Sequence, residues 1–341
     1  MTPVYLGIDI AKASFSVARW QNNQGESLDE FANTHAGFLQ LVATVTQAAG
    51  VHPGDPIHVA LEPTGGYELA LALFLHEQGW QVSRPNPKRV RDFAKGLGRR
   101  AKTDRLDALV LAQYAAERKP SAWAPLQSEV SELESLLSRQ RELEQMLGQE
   151  KRRLEALSGR PGVAAGVPET IERMIESLQA TLTQVEEAIR AHLKQYANLQ
   201  QEAKRLRQVP GIGERNGLAL LVLMHRWHTL TGGRGEAKGL VAFVGLDPQT
   251  HESGTSVRGR GTISRMGDRR LRPRLYMGAL GGVRGDNALR VFYQRLVGRG
   301  NRKKVALVAA ARKIVVWAWA VFRDQSDFQS PYGAAGAAAT A

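Results

Sequence analysis

Val4-Tyr5-Leu6-Gly7-Ile8-Asp9-Ile10-Ala11-Lys12, VYLGIDIAK, decides how the first third of the chain is read. Its β-branched and aromatic residues predict a strand buried on both faces, with one acid, Asp9, in an otherwise apolar run. A lone carboxylate in such a place costs several kcal/mol unless a cation or a hydrogen-bond partner meets it. Asp9 therefore asks for company, and three other acids offer it. Glu62 ends the apolar run Ile57-His58-Val59-Ala60-Leu61 and precedes the breaker Pro63-Thr64-Gly65. An acid at the C-terminal tip of a strand is where open α/β sheets place their chemistry. Asp104 and Asp107 lie in KTDRLDA, where Thr103 predicts an N-cap and the i, i+3 spacing sets both on one face of the first helical turn. Two strand acids and a helical pair offer oxygen ligands only, the set preferred by Mg2+, with Mn2+ as the other candidate. Each acid also has an ordinary reading. Acids in a first helical turn are favoured by the macrodipole, and Asp9 and Glu62 suit a turn and a strand end.

Around that stretch, residues 1–125 alternate strand and helix. Ser14–Trp20 alternates with period two, Asn22–Gly25 turns, and Glu26–Asn33 pairs back. Helices follow at Phe38–Ala49 and Tyr67–Gln78, with strands at Ile57–Glu62 and Gln81–Ser83. Three strands, helix, strand, helix, strand, helix is the order of an RNase H-like domain, which sets Asp9 and Glu62 side by side at the sheet centre.

The next segment, residues 126–207, is helical and charged. Val130, Leu133, Leu137, Gln140, Leu147 and Leu154 keep a heptad that Glu144 and Lys151 interrupt, and SGRPGVAAGVP, 158–168, is a loop. Ile171, Ile175, Leu178, Leu182, Val185 and Ile189, continued by Leu193, Tyr196, Leu199, Ala203 and Leu206, make a second seam. The expectation is an antiparallel coiled-coil hairpin, either packed on its own domain or pairing protomers. Residues 208–328 form a mainly α domain. It opens with Pro210-Gly211-Ile212-Gly213, a helix-hairpin-helix-like turn whose glycines admit a phosphate or serve packing. It contains a glycine-, hydroxyl- and arginine-rich loop, 247–267. The tail, 329–341, is low in complexity and reads as disordered.

The net charge of +13, at a sequence pI near 10.2, points to a polyanion partner. Between Arg205 and Lys313 there are 22 Lys or Arg and 6 Asp or Glu, a local +16, so the remainder carries −3. A smaller basic run, Arg84 to Arg105, leads into the aspartate pair. The chain has no cysteine, which excludes disulfides and thiolate zinc sites. No signal peptide is expected, and Val305–Phe322 is apolar but carries Arg312 and Lys313, so a buried or amphipathic helix is expected there and no membrane span.

GIDIAK, LEPTGG and KTDRLDA resemble the DEDD motifs of transposases of the insertion-sequence family numbered 110, whose N-terminal domain is RuvC-like. G-L-D-P…S-G at 245–254 and R-G-x-I-S-R-M-G…L-R-x-x-L-Y at 260–276 resemble the same family's C-terminal motif, with Arg265 where lysine is common and Pro273 inside an expected helix. The resemblance covers most of residues 1–325. It implies a DNA recombinase in which Asp9, Glu62, Asp104 and Asp107 are catalytic and hold Mg2+, and Ser253 is the nucleophile. The residues alone do not single out Ser253, since Thr255, Ser256, Thr262 and Ser264 are similarly placed. Arg99, Arg100, Lys102, Arg258, Arg260, Arg265 and Arg269 are the expected nucleic-acid contacts. The resemblance also implies donor and target DNA, a guide non-coding (bridge) RNA, a homo-oligomer in which dimers assemble into a tetramer, and a cytoplasmic, nucleoid-associated bacterial protein. Two rivals stand beside this reading. One is a metal-dependent RuvC-like nuclease that hydrolyses DNA without the serine; the other is a non-catalytic nucleic-acid-binding protein.

Overall fold

A computed structural model describes residues 3–48, 51–52, 54–98, 103–249, 252–253, 257–258, 262–267 and 269–330. The chain divides into two units, Met1–Pro125 and Leu126–Ala341.

In the first unit the strands β1 (Val4–Ile10), β2 (Ser14–Gln21) and β3 (Gln24–Ala32) form an antiparallel meander. Helix α1 (His35–Gln47) follows, capped by the Thr34 hydroxyl, which accepts from the Gly37 amide at 3.4 Å. Then come β4 (Ile57–Leu61), α2 (Leu69–Glu77), β5 (Gln81–Ser83), α3 (Pro87–Gly96) and α4 (Asp104–Arg118). The sheet order is β3-β2-β1-β4-β5, with β4 and β5 parallel to β1. One face is the main core, where Leu6, Ile8, Val17, Val59 and Leu61 meet Leu41 of α1 and Leu71 and Leu75 of α2. The other face carries α4 on small residues, with Ala18 against Ala108 and Ala112.

Gly7 explains how α4 seats so closely. A Cβ there would lie 2.0 Å from the Ala108 carbonyl oxygen and 2.2 Å from the Ala112 nitrogen. Any side chain would force helix and strand apart, so the glycine beside Asp9 is what lets α4 lie directly on β1. Helix α3 was not expected from sequence. Its signals are present all the same: Asn86 accepts from the Lys88 amide at 2.9 Å, and Pro87 opens the helix.

In the second unit α5 (Ser128–Leu157) and α6 (Gly166–Gln195) form the hairpin. The second seam does not continue as one helix. Tyr196, at φ −110° and ψ 88°, breaks it, and α7 (Ala197–Leu206) departs in a new direction. Next come α8 (Glu214–Thr231), α9 (Ala237–Val244) and the two-residue strands β6 (Pro248–Gln249), β7 (Glu252–Ser253), β8 (Val257–Arg258) and β9 (Thr262–Ile263). The unit ends with α10 (Leu271–Gly282), α11 (Ala288–Gly298) and α12 (Lys303–Arg323). Pro273 sits in the first turn of α10, where its missing N–H costs nothing. Only the base of the hairpin shares the unit's core: Val130, Leu133, Leu137 and Ile189 cluster with α7–α12, so 126–207 and 208–328 are built on one core. Helix α12 is long and apolar enough to cross a membrane, yet its Ile314, Val315, Ala318 and Trp319 fill the middle of that core.

Candidate active site

Asp9 lies near the end of β1, half-buried in the centre of the sheet. The parallel register of β1 and β4 pairs Ile8 with Leu61, so one step further sets Asp9 beside Glu62, the first residue past β4. Asp104 and Asp107 occupy the first turn of α4, and the Thr103 hydroxyl caps it by accepting from the Leu106 amide at 3.3 Å. Because α4 packs on β1, that turn stands over the same end of the sheet. Burial first, then the negative charges of Asp107, Asp104 and Glu62, push the Asp9 carboxyl up to about 6. All four acids therefore lie within electrostatic reach of one point. Among the described residues no three acidic or histidine side chains already stand at chelating distance. The donor set is nonetheless carboxylate only, and a divalent cation is what would relieve the mutual repulsion, so the residues fit a hard metal.

The loop that carries Glu62 is held by a residue that sequence reasoning missed. Glu68 is 1% exposed. Its carboxylate accepts from the Thr64 amide at 3.1 Å and the Gly66 amide at 3.0 Å, and pairs with Arg84. These contacts outweigh burial and hold its pKa below the ordinary value. The clue was present in LEPTGGYE, where a second acid follows a proline-glycine turn by three residues, but no spacing rule marks it as the turn's anchor. Beyond β5, helix α3 lines Lys88, Arg89, Arg91 and Lys95 along an exposed surface. Arg99, Arg100 and Lys102 lie outside the described residues.

Ser253 sits in a long hairpin. Strand β6 pairs with β9 through Pro248↔Ile263 and Gln249↔Thr262, and β7 with β8 through Glu252↔Arg258 and Ser253↔Val257. The register slips by one residue between the two ladders. The backbone of Ser253 closes the β7–β8 ladder opposite Val257, and 254–256 lie outside the described residues. Thr255, Ser256 and Arg260 lie outside the described residues, as do the side chains of Ser253 and Arg258. The base of the hairpin is stapled: the Ser264 hydroxyl bonds the Asp247 carboxylate, and the Ser264 amide donates to the Asp247 carbonyl at 3.0 Å. Arg272 donates to the carbonyls of Val244 at 3.2 Å and Gly267 at 2.9 Å. Of the hydroxyls near Ser253, Ser264 is therefore spent on structure. Arg265 is exposed at φ 56°, an uncommon conformation for a residue with a side chain, and Arg269 is exposed.

The turn at Pro210–Gly213 divides its two glycines between the roles open to it. Gly211, at φ 91°, backs onto Gly278, whose carbonyl a Cβ would meet at 2.8 Å, so it is there for packing. Gly213 starts α8, is exposed and has open space around it.

A DEDD-type transposase model matches residues 6–157, and a model described as transposase IS116/IS110/IS902 family matches residues 203–294. The pilin gene-inverting protein of Moraxella lacunata is 31% identical over 329 residues, 96% of this chain and 98% of its own length. That of Moraxella bovis matches with the same identity and coverage. An uncharacterized 43.6 kDa protein of insertion element IS110 from Streptomyces coelicolor is 34% identical over 165 residues, 47% of this chain and 39% of that one. Identity sustained over nearly the full length of two relatives, together with motif models covering both the acids and the serine hairpin, has one consequence: the chain belongs to the IS110 family of transposases, whose general activity is DNA recombination.

Proposed function

We propose that this protein cuts and rejoins DNA through the hydroxyl of Ser253, with Asp9, Glu62, Asp104 and Asp107 holding Mg2+ or Mn2+. The observation that carries the acid half is the charge of three carboxylates converging on Asp9 in a strand end that packing fixes. The serine half rests on the family motif, in which Ser253 stands opposite Val257 in the β7–β8 ladder. A bound cation supplies neutralisation of the phosphate and of the charge that develops on it. The serine Oγ forms a bond to phosphorus as it loses its proton. The bond from phosphorus to the bridging sugar oxygen breaks, and that oxygen takes up a proton. One phosphoester replaces another, so the link is conserved and the reverse step, with the hydroxyl of another strand end, rejoins DNA without ATP. Arg258, Arg260, Arg265 and Arg269 grip phosphate oxygens near Ser253, and Arg99, Arg100 and Lys102 do so near the aspartate pair. A bridge RNA that selects the donor and target DNA, and a dimer assembling into a tetramer, complete the proposal. The gene-inverting relatives support rejoining over simple cutting.

The test is covalent trapping. Protein, Mg2+, guide RNA and end-labelled junction DNA are mixed and then denatured. Label should remain on the protein, and Ser253→Ala and Asp9→Asn should each reduce it by about a thousandfold or more. Cut ends without an adduct, unaffected by Ser253→Ala, would move the chemistry to hydrolysis at the four acids.

A further inference from the structure

We propose that the groove between the end of α6, α7 and the start of α8 is a track for the backbone of duplex DNA. The break at Tyr196 creates it, because α7 turns away from the line of α6 and leaves an open groove of about 610 Å3. Arg190 and Lys194 stand one turn apart on one wall, and Lys204 and Arg207 stand on the other. All four are exposed, over a floor that includes Ala203 and Leu218. One acid, Glu214, borders it.

Two other cations of this unit are neutralised within the chain: Arg215 pairs with Glu144 and Glu186, and Arg226 with Glu134. Among the described residues no carboxylate pairs with any of the four groove cations. Lysines in a last helical turn are favoured by the macrodipole, which accounts for Lys194 and Lys204 one at a time. It does not account for four cations, none with a paired carboxylate, lining one groove. A polyanion supplies the missing charge, and guanidinium and ammonium groups on two walls suit successive phosphates of a strand. The family acts on DNA, which makes DNA the occupant, and the contacts are to backbone and so independent of sequence. The inference rests on that substrate and not on Ser253 as nucleophile.

The full chain is titrated with a short fluorescent duplex of arbitrary sequence between about 50 and 200 mM salt. Quadruple substitution R190Q/K194Q/K204Q/R207Q should weaken binding at least tenfold and make the salt dependence shallower by about three to four in log–log slope. The charge-matched set K151Q/R152Q/R160Q/R173Q, at the far end of the hairpin, should change both much less. Equal losses in the two sets, or no change in the first, would overturn the proposal. So would a loss confined to stem-loop RNA. Because the chain has no cysteine, a photo-crosslinker on Lys204→Cys gives a second readout that does not need the quadruple variant to fold. It should attach to the duplex, and the same group on Arg152→Cys should not; attachment from both positions alike, or from neither, would sink the idea. The titration reads duplex binding and not strand cleavage, so failure of the serine chemistry and failure of the groove are separate results.

Discussion

The acid cluster and the serine hairpin are built in opposite ways. Asp9 is fixed by a five-stranded sheet, a parallel register to β4 and a helix lying on Gly7. Ser253 is carried by two-residue strands whose base is stapled by Asp247, Ser264 and Arg272. In the first region a side chain is out of place for its surroundings and packing explains it. In the second, two-residue backbone ladders and the bonds of Asp247, Ser264 and Arg272 hold the described residues. A group set on a packed sheet has its position fixed by many contacts, whereas one on two-residue ladders depends on a few named bonds.

The contrast is broken most directly at Gly7. Gly7→Val should destabilise the first unit by about 3 kcal/mol or more, because the clash is with helix backbone. Thermal melts of Gly7→Val and Ser253→Ala should then differ widely, with Ser253→Ala within about 0.5 kcal/mol of the parent. Equal melts would mean that α4 does not depend on the close seat.

Glu68→Ala should cost a comparable amount, about 3 to 5 kcal/mol, since it leaves Arg84 beside a loop that has lost its anchor. Its pH signature has a definite sign. Glu68 is depressed below 4.5, so its stabilisation is present above that value and is lost as pH falls through its folded pKa. Urea midpoints measured against pH should show the variant approaching the parent in strong acid.

Asp9 should behave in the reverse sense. Its folded pKa of about 6 lies above the ordinary 3.8, so the folded protein takes up the proton first and gains stability as pH falls between those values. Asp9→Asn should melt a few degrees above the parent at pH 7.5, an effect kept small because water reaches this half-exposed carboxyl, and the difference should vanish near pH 4. Mg2+ should raise the melting temperature of the parent and not that of Asp9→Asn. A variant less stable than the parent at pH 7.5 would show that the repulsion is already compensated within the chain.

The smallest effects separate the two glycines of the turn before α8. Gly211→Ala should cost about 1 to 3 kcal/mol through its positive φ and the contact with Gly278, and Gly213→Ala should stay within about 0.5 kcal/mol. Melts that reverse this order would return Gly211 to the phosphate-binding role.

Read alone, the sequence specified the five strands and three of the four helices of residues 1–125, the hairpin and the basic second half. Each leaves a local trace: period two or 3.6, a cap before a helix, an excess of Lys and Arg. Helix α3 was missed because Pro85-Asn86-Pro87 reads as a turn, although an Asn cap followed by proline is also a helix start. The break at Tyr196 was hidden because the apolar stripe runs on through Leu199, Ala203 and Leu206, and a stripe records which side is buried, not whether the backbone stays straight. Glu68 as the anchor of the Glu62 loop, Ser264 as a structural hydroxyl and Gly7 as the seat of α4 were decided only by tertiary structure. Each depends on a partner far along the chain: Arg84 for Glu68, Asp247 for Ser264, Ala108 for Gly7. A sequence pattern reports what a residue does to its own segment; what it meets across the fold is set by packing.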